Sequence, residues 1–434
     1  MKISRLFQTL SLAASLAATT AFAQSTPIPP VAIGEPLPGL TAQELAYFYE
    51  GKAMYEKDFT PQEGLGPLHN GPACTTCHFG GGTGGSEHGT ANNVHHITVQ
   101  HDGQTYLAFE LGGAVRQTKS ITGTPGANPD CIVSGETDPT SPGSQISVRH
   151  TPPVFGFGLL DAVPDAAILK NMGPKPSKKP GVIGAANWGV ELEGLVDLLA
   201  FKLDATRRTQ PVGAPRVGRF GWKAPTATLF QFTTEPFNIE LGVSTPFFPR
   251  ENMPDGSIIP EACRLPGHQP NDINSQQSLR LFYFQAFLAP PPRGPITPDV
   301  VRGEALFKQI GCEDCHVQGF TTVPNYHVPW PDGSSHRVAA LSGKSFNPWS
   351  DLLIHDMGEA LADHRPQGKA SGRFWRTTPL WGTRFKTNYL HDGRATTVHE
   401  ATLAHGGEAT ASTQAYNALS PQDKARVIQF IQSL

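Results

Sequence analysis

Two pentapeptides carry the clearest chemistry in this chain: Cys74-Thr75-Thr76-Cys77-His78 and Cys312-Glu313-Asp314-Cys315-His316. In each, two thiols stand two residues apart and a histidine follows at once. That gap matches the separation of the two vinyl groups of a haem, so both thiols can add to the porphyrin edge while the histidine takes the iron from below. A zinc site would require two further ligands at comparable spacing, and none stands beside either motif. A redox dithiol does not require the histidine. The two motifs therefore predict two covalently bound haem c groups, attached at Cys74, Cys77, Cys312 and Cys315, with His78 and His316 as the proximal ligands.

What lies on the opposite face of each iron decides between electron transfer and chemistry on a substrate. Downstream of the second motif the candidates are His355, Met357, His364, His391, His399 and His405. Downstream of the first they are His88, His95, His96 and His101. Cleavage of a peroxide also requires a group that moves a proton between the two oxygens. Glu110, Glu136 and Asp161 are candidates, with Arg149 as a stabiliser of charge, and Glu110 and Arg149 head the set. Trp188, Trp222 and Trp381 are candidates to lie between the haems and assist electron passage; core packing is the plainer role for each.

Lys2 and Arg5, the apolar stretch Leu6 to Ala18 and the small-x-small run Ala21-Phe22-Ala23 predict a cleaved signal peptide over residues 1–23, hence an exported, periplasmic protein. That stretch is too short and too broken by polar residues to predict a membrane span, and no later segment is long and apolar enough for one. In an oxidising compartment Cys131 and Cys263, the two cysteines outside the motifs, are expected to form a disulfide. The net charge of −3, with scattered lysines and arginines, excludes a nucleic-acid footprint.

The elements that position these groups follow from caps and breakers. Thr41-Ala42-Gln43-Glu44 is a capping box, with Leu45, Phe48 and Tyr49 at helical spacing beyond it. Thr297-Pro298 starts a second helix, with Val300, Val301, Ala305 and Leu306 as its stripe, which runs to Gly311 just before Cys312. Ser420-Pro421 starts a third, with Val427, Ile428, Ile431 and Leu434. The 45 glycines and 40 prolines predict long ordered loops between short helices, and the run Gly80 to Gly85 a flexible turn. The predicted fold is mainly α: two cytochrome c-like haem modules with long Gly/Pro-rich loops and insertions. Residues 24–295 form the N-terminal haem domain and 296–434 the C-terminal one, joined at the run Ala289 to Pro295. A weak internal repeat supports two copies of one module: Arg149-His150-Thr151-Pro152-Pro153-Val154-Phe155-Gly156 echoes Arg376-Thr377-Thr378-Pro379-Leu380-Trp381-Gly382.

The segment Tyr389-Leu390-His391-Asp392-Gly393-Arg394 through His405-Gly406-Gly407-Glu408 resembles the C-terminal module of bacterial di-haem cytochrome c peroxidases and of the methylamine dehydrogenase maturation enzyme. More closely, the chain resembles the di-haem oxidoreductases, also called thiol oxidoreductases. The matching stretches are Gly64 to Pro67, Phe155 to Leu160, Gly218 to Ala224, Arg376 to Gly382 and Tyr389 to Glu408. Larger rubber-cleaving di-haem oxygenases look like more distant relatives.

This resemblance implies a distal ligand fourteen residues after His391, at His405, with Met357 as its rival. It implies a displaceable histidine near the first motif, at His95 or His96. Leu160 stands in the repeat where the C-terminal module has His391, which suits a vacant distal face and a reactive N-terminal haem. The implied activity is a peroxidase-like oxidoreductase: electrons enter at the C-terminal haem from a small partner such as a cytochrome c or a cupredoxin, and a small oxidant is reduced at the other. A non-enzymatic electron carrier and an oxygen-dependent oxidase of thiols or other organic compounds are the alternatives. A calcium ion between the modules is a further candidate cofactor.

Overall fold

The computed structural model describes residues 26–101, 104–107, 115–140, 143–190, 215–249, 257, 259–264 and 272–434. The expected signal peptide and Glu110 lie outside the described residues. Among the described residues nine helices run in order: α1 (Ala42–Glu56), α2 (Phe157–Asp161), α3 (Asp165–Leu169), α4 (Leu229–Leu241), α5 (Ser275–Phe287), α6 (Pro298–Gln309), α7 (Val398–Leu403), α8 (Thr410–Asn417) and α9 (Pro421–Ser433).

The capping chemistry read from the sequence fixes the helices before the motifs. Thr41 Oγ1 accepts the Glu44 N–H at 3.3 Å and Glu44 returns the bond to the Thr41 amide at 2.6 Å, so α1 starts where the capping box sits. Thr297 accepts the Val300 N–H, and α6 ends before Gly311, whose φ of 88° turns the chain into Cys312. Ser420 caps α9 in the same way. The stripes are partly corrected. In α6, Val301 and Ala305 face solvent, and Val300, Gly303, Leu306 and Phe307 face inward. In α1, Tyr49 is exposed, and Glu44, Phe48, Gly51 and Tyr55 are buried. The inward face follows the glycine that allows a close helix crossing, which apolar spacing alone does not reveal.

That crossing occurs twice. α1 packs on α5 with Gly51 against the Arg280 carbonyl, and α6 packs on α9 with Gly303 against the Arg426 carbonyl. Four residues on, Phe284 of α5 meets Phe48, and Phe430 of α9 meets Phe307. Beyond each second helix a carbonyl receives a glycine amide: Gly156 N donates to Leu288 O at 3.1 Å, and Gly382 N donates to Leu434 O at 2.9 Å. The two glycines belong to the echoing segments, so the weak repeat corresponds to one arrangement built twice.

The expectation of a mainly α fold holds only in part. Fourteen short strands accompany the helices among the described residues. The longest set is antiparallel, with 94–101 between 104–107 and 144–149. The Gly/Pro-rich connections leave backbone groups that no helix satisfies, and paired two- and three-residue ladders satisfy them. α5 is buried along most of its length, with Leu279, Leu281, Phe282, Tyr283, Phe284 and Phe287 in the larger core, where each fully buried Phe contributes roughly 2–3 kcal/mol. That core also takes in Phe320, Val328, Leu341, Leu353 and Trp381 from beyond the proline run. A smaller core joins α6, α8 and α9 around Phe307, Trp349, Tyr416 and Phe430. Cys131 and Cys263 form a disulfide.

Candidate functional site

Each motif folds as a single helical turn, Cys74–Thr76 and Cys312–Asp314, so that both thiols and the histidine converge. All four thiols are free. Burial pushes Cys74, Cys77 and Cys312 up to about 12 and raises Cys315. A working redox dithiol needs a thiolate near neutral pH, so these environments do not suit one.

The two histidines are held alike. His78 Nδ1 donates to Gly85 O at 3.2 Å, and His316 Nδ1 donates to Trp349 O at 2.8 Å. Burial holds both rings down to about 4, hence neutral. A neutral imidazole whose Nδ1–H is committed to a carbonyl presents Nε2 as a lone-pair donor in a fixed direction. The glycine run after the first motif is no flexible turn. Gly84 N bonds His78 O, Gly80 N bonds Ser86 O, and Gly85 supplies the acceptor for the ring.

Around His316 lies a largely apolar cavity, with Phe307, Trp222, Trp375, Leu380, Tyr389, Val398 and Ile431 in its walls. Cys312, Cys315, His316, Met357, His391 and His405 all line it. His405 is lowered by burial, its Nδ1 donates to Ala401 O at 2.7 Å, and it lies near enough to His316 to depress that ring further. His405 therefore also presents Nε2. His355 does not: its nitrogens bond Asp351 at 2.9 Å and Glu408 at 2.8 Å. His391 stacks on Trp375, with centroids 3.7 Å apart. His399 bonds Tyr416 OH, and His364 is exposed beside Glu359.

Among the described residues the cavity wall carries no carboxylate and, besides His355 with its acid partners, two cations. Arg376 is lowered by burial to about 10 and its Nη1 is buried without a partner; Lys386 is lowered by burial, with Arg376 nearby, to about 8. An apolar slot with two thiols at one edge, an imidazole on the wall and unneutralised cations fits a haem, whose propionates would answer those charges.

His95 Nδ1 pairs with Asp138 at 2.9 Å, and His96 sits among Arg365, Arg149 and Asp363. His88 bonds Phe385 O, and the side chain of His101 is outside what is described. Leu160 is buried in the larger core. Arg149 is ion-paired with Asp363 at 2.5 Å and lies over Trp375, within the C-terminal module's surroundings. Glu136 pairs with Arg116 and accepts the Gln117 amide; Asp161 accepts the Leu229 amide and the Tyr326 hydroxyl. Trp188 is partly exposed, and Trp381 packs against Gly156.

Trp222 joins the cavity to segment 150–152. It lines the cavity, and its Nε1–H donates to His150 O at 2.8 Å. His150, which sequence reasoning left out, also donates its amide to His391 O at 2.7 Å. Its ring lies close enough to His78 for their charges to interact, and the adjoining Thr151 and Pro152 reach Cys77 and His78. Its place in the echoing segment was the available signal. Among the described residues no cluster of three or more His, Cys, Asp or Glu forms a metal site, so nothing here adds to the calcium expectation.

A family model described as "Di-haem oxidoreductase, putative peroxidase" matches residues 140–434. The chain belongs to the di-haem oxidoreductase family. Membership implies two haem groups. The matched range of this di-haem oxidoreductase includes the second motif, while Cys74 to His78 precede it. No curated protein matches the chain. Among solved structures, similarity is found to hydrazine synthase of Kuenenia stuttgartiensis, at 13% identity and TM-score 0.37 over 100% of both chains. It is also found to the di-haem peroxidase BthA of Burkholderia thailandensis, at 14% identity and TM-score 0.37 over 95% of this chain and 91% of that one. A MauG-like protein associated with microbial copper homeostasis matches at 13% and 0.34, over 94% and 93%. At these values the chemical reading rests on the site itself.

Proposed function

We propose that this di-haem oxidoreductase is an exported, peroxidase-type enzyme with haem c joined at Cys74/Cys77 and Cys312/Cys315. The observation that carries this reading is the pairing of His316 and His405 across one apolar cavity, each with Nδ1 committed to a backbone carbonyl. Two neutral Nε2 atoms facing one space suit a filled, electron-transferring iron. When bound, the haems supply one-electron storage at the filled site and reduction of a small oxidant such as peroxide at an open one.

The residues divide the remaining work. Arg376 and Lys386 would hold the carboxylates of the C-terminal haem, and the apolar wall would keep water from it. Trp222, bonded to His150, supplies a packed path between the two sites. We assign the reaction to the N-terminal site because His316 and His405 would between them fill the C-terminal iron, and segment 150–152 reaches the first motif from the His78 side. A proton-moving carboxylate is assigned only by expectation, to Glu110. Export rests on the signal-like leader and on the Cys131–Cys263 disulfide.

Cyanide titration of the purified holoprotein, before and after one-electron reduction, tests the assignment. The ligand is expected at the iron held by His78, and His78→Gly is expected to abolish peroxide turnover yet leave the other haem reducible. Binding solely at the iron held by His316 reverses the two roles, and no binding in either state favours an electron carrier.

A further inference from the structure

Between Asp165 and Glu191 the chain has four lysines, Lys170, Lys175, Lys178 and Lys179, and no acidic residue, although the whole protein is net negative. This stretch folds over the C-terminal motif. The aliphatic stem of Lys179 packs against Gly311, and its amide donates to Asp314 at 2.7 Å. Lys178 lies close enough to Cys315 to pull on its thiol. Val182 lines the cavity, the amides of Ile183 and Gly184 donate to Glu408, and Ala185 pairs with Ile354 in both directions. The segment is therefore anchored at several points and presents a fixed surface.

Its charges are not spent on carboxylates. Lys175 donates to the Lys170 carbonyl and Lys178 to the Asn171 carbonyl at 2.8 Å. Among the described residues none of the four lysines is ion-paired. The acids beneath the segment are committed, Asp314 to the Lys179 amide and Glu408 to His355 and backbone; Glu313 is the exposed carboxylate of the adjoining motif. Between the lysines the surface is apolar: Met172 and Ile183 are exposed, with Pro174, Pro176 and Pro180. A rigid apolar patch ringed by unneutralised cations, at the edge where a haem would join Cys312 and Cys315, steers and seats an anionic surface.

We propose that segment 170–184 is the docking surface for a small acidic electron-carrier protein whose redox centre lies just beneath its own surface. This rests on the proposal that the C-terminal site receives electrons. In the step one electron leaves the carrier's metal centre and one is gained at the C-terminal haem, with no proton or bond transferred. The apolar centre beside the cavity favours a protein with a hydrophobic exit patch over a lipid surface.

The test uses the holoprotein and its K170E/K175E variant, with K170Q/K175Q as the neutral control. The probe is reduced plastocyanin, an acidic cupredoxin, mixed by stopped flow at low and high salt; binding of its redox-inert zinc form is measured in parallel. The second-order rate and the affinity for the zinc form are expected to fall by roughly ten-fold or more in the charge-reversed variant, less in the neutral one, and to fall with salt in the unaltered protein. Reduction by a small neutral hydroquinone is expected to be equal in all three. Equal rates and affinities across the variants, faster reduction by a basic cytochrome c than by plastocyanin, or tighter binding to anionic vesicles than to the zinc protein would each overturn the proposal. Loss of peroxide turnover with docking intact would count against the peroxidase reading alone.

Discussion

Gly303 lies so close to Arg426 that a β-carbon on it would stand 2.0 Å from the Arg426 carbonyl oxygen; Gly51 stands in the same relation to Arg280. In an exposed helix, Gly→Ala stabilises by about 1 kcal/mol. Here the sign reverses, because the backbone of the partner helix must move. Gly303→Ala and Gly51→Ala are each expected to cost roughly 1–3 kcal/mol and to lower the thermal midpoint. A variant as stable as the parent would show that the crossings are looser than described.

His405→Ala is expected to open the C-terminal iron and produce a high-spin ferric signal, while Met357→Leu leaves the spectrum unchanged. Paired histidines should also hold a lower reduction potential than a His/Met pair. A near-infrared methionine-to-iron band that disappears in Met357→Leu would transfer the ligand role to Met357.

The cluster Asp351–His355–Glu408 sets a pH window. Burial works against the charge on Glu408, yet His355 and the Ile183 and Gly184 amides hold it down at about 2. Its stabilising contribution is present above the ordinary 4.5 and disappears as pH falls toward 2. Burial likewise opposes the charge on His355, but Asp351, Cys315 and Glu408 hold it well above 6.5, so its contribution is full below 6.5 and fades on the alkaline side. Glu408→Gln is expected to cost on the order of 3 kcal/mol near pH 6. The deficit should shrink between pH 4.5 and 2 in denaturant titrations; a deficit independent of pH there would assign the loss to packing.

Peptide mapping without reduction should recover Cys131 joined to Cys263, whose 132-residue separation makes the linkage worth about 5 kcal/mol in the chain-entropy account. Reduction should lower the unfolding midpoint accordingly. Alkylation of both thiols in native, unreduced protein would contradict the linkage.

Denatured protein should retain haem stain, with a mass increased by two haems, and Cys77→Ala or Cys315→Ala should weaken one attachment. A single haem in the unaltered protein would remove the two-site reading.

Much of this was legible in the sequence because the signals are local. Caps at Thr41, Thr297 and Ser420 and the two motifs lie within a few residues of what they specify, whereas His405 was implied by the family resemblance. The commitments of His95 to Asp138 and of Arg149 to Asp363 were not legible, since each joins residues 43 and 214 positions apart. His150 was overlooked for a related reason. Its interest lies in its backbone, bonded to Trp222 and His391, and backbone bonds leave no mark in residue type. The repeat was visible as an echo of letters, but its meaning lay in two amides reaching two carbonyls at the ends of α5 and α9.

The run of prolines between the halves is tied down along its length: Ala289 N bonds Glu35 O, Gly294 N bonds Ser433 O, and Arg384 reaches the Pro292 carbonyl. A seam stitched in this way acts as a ruler rather than a hinge. On the electron path proposed above, the gap between the two haem sites would then be the same on every turnover, and crossing it would not wait on a domain swing.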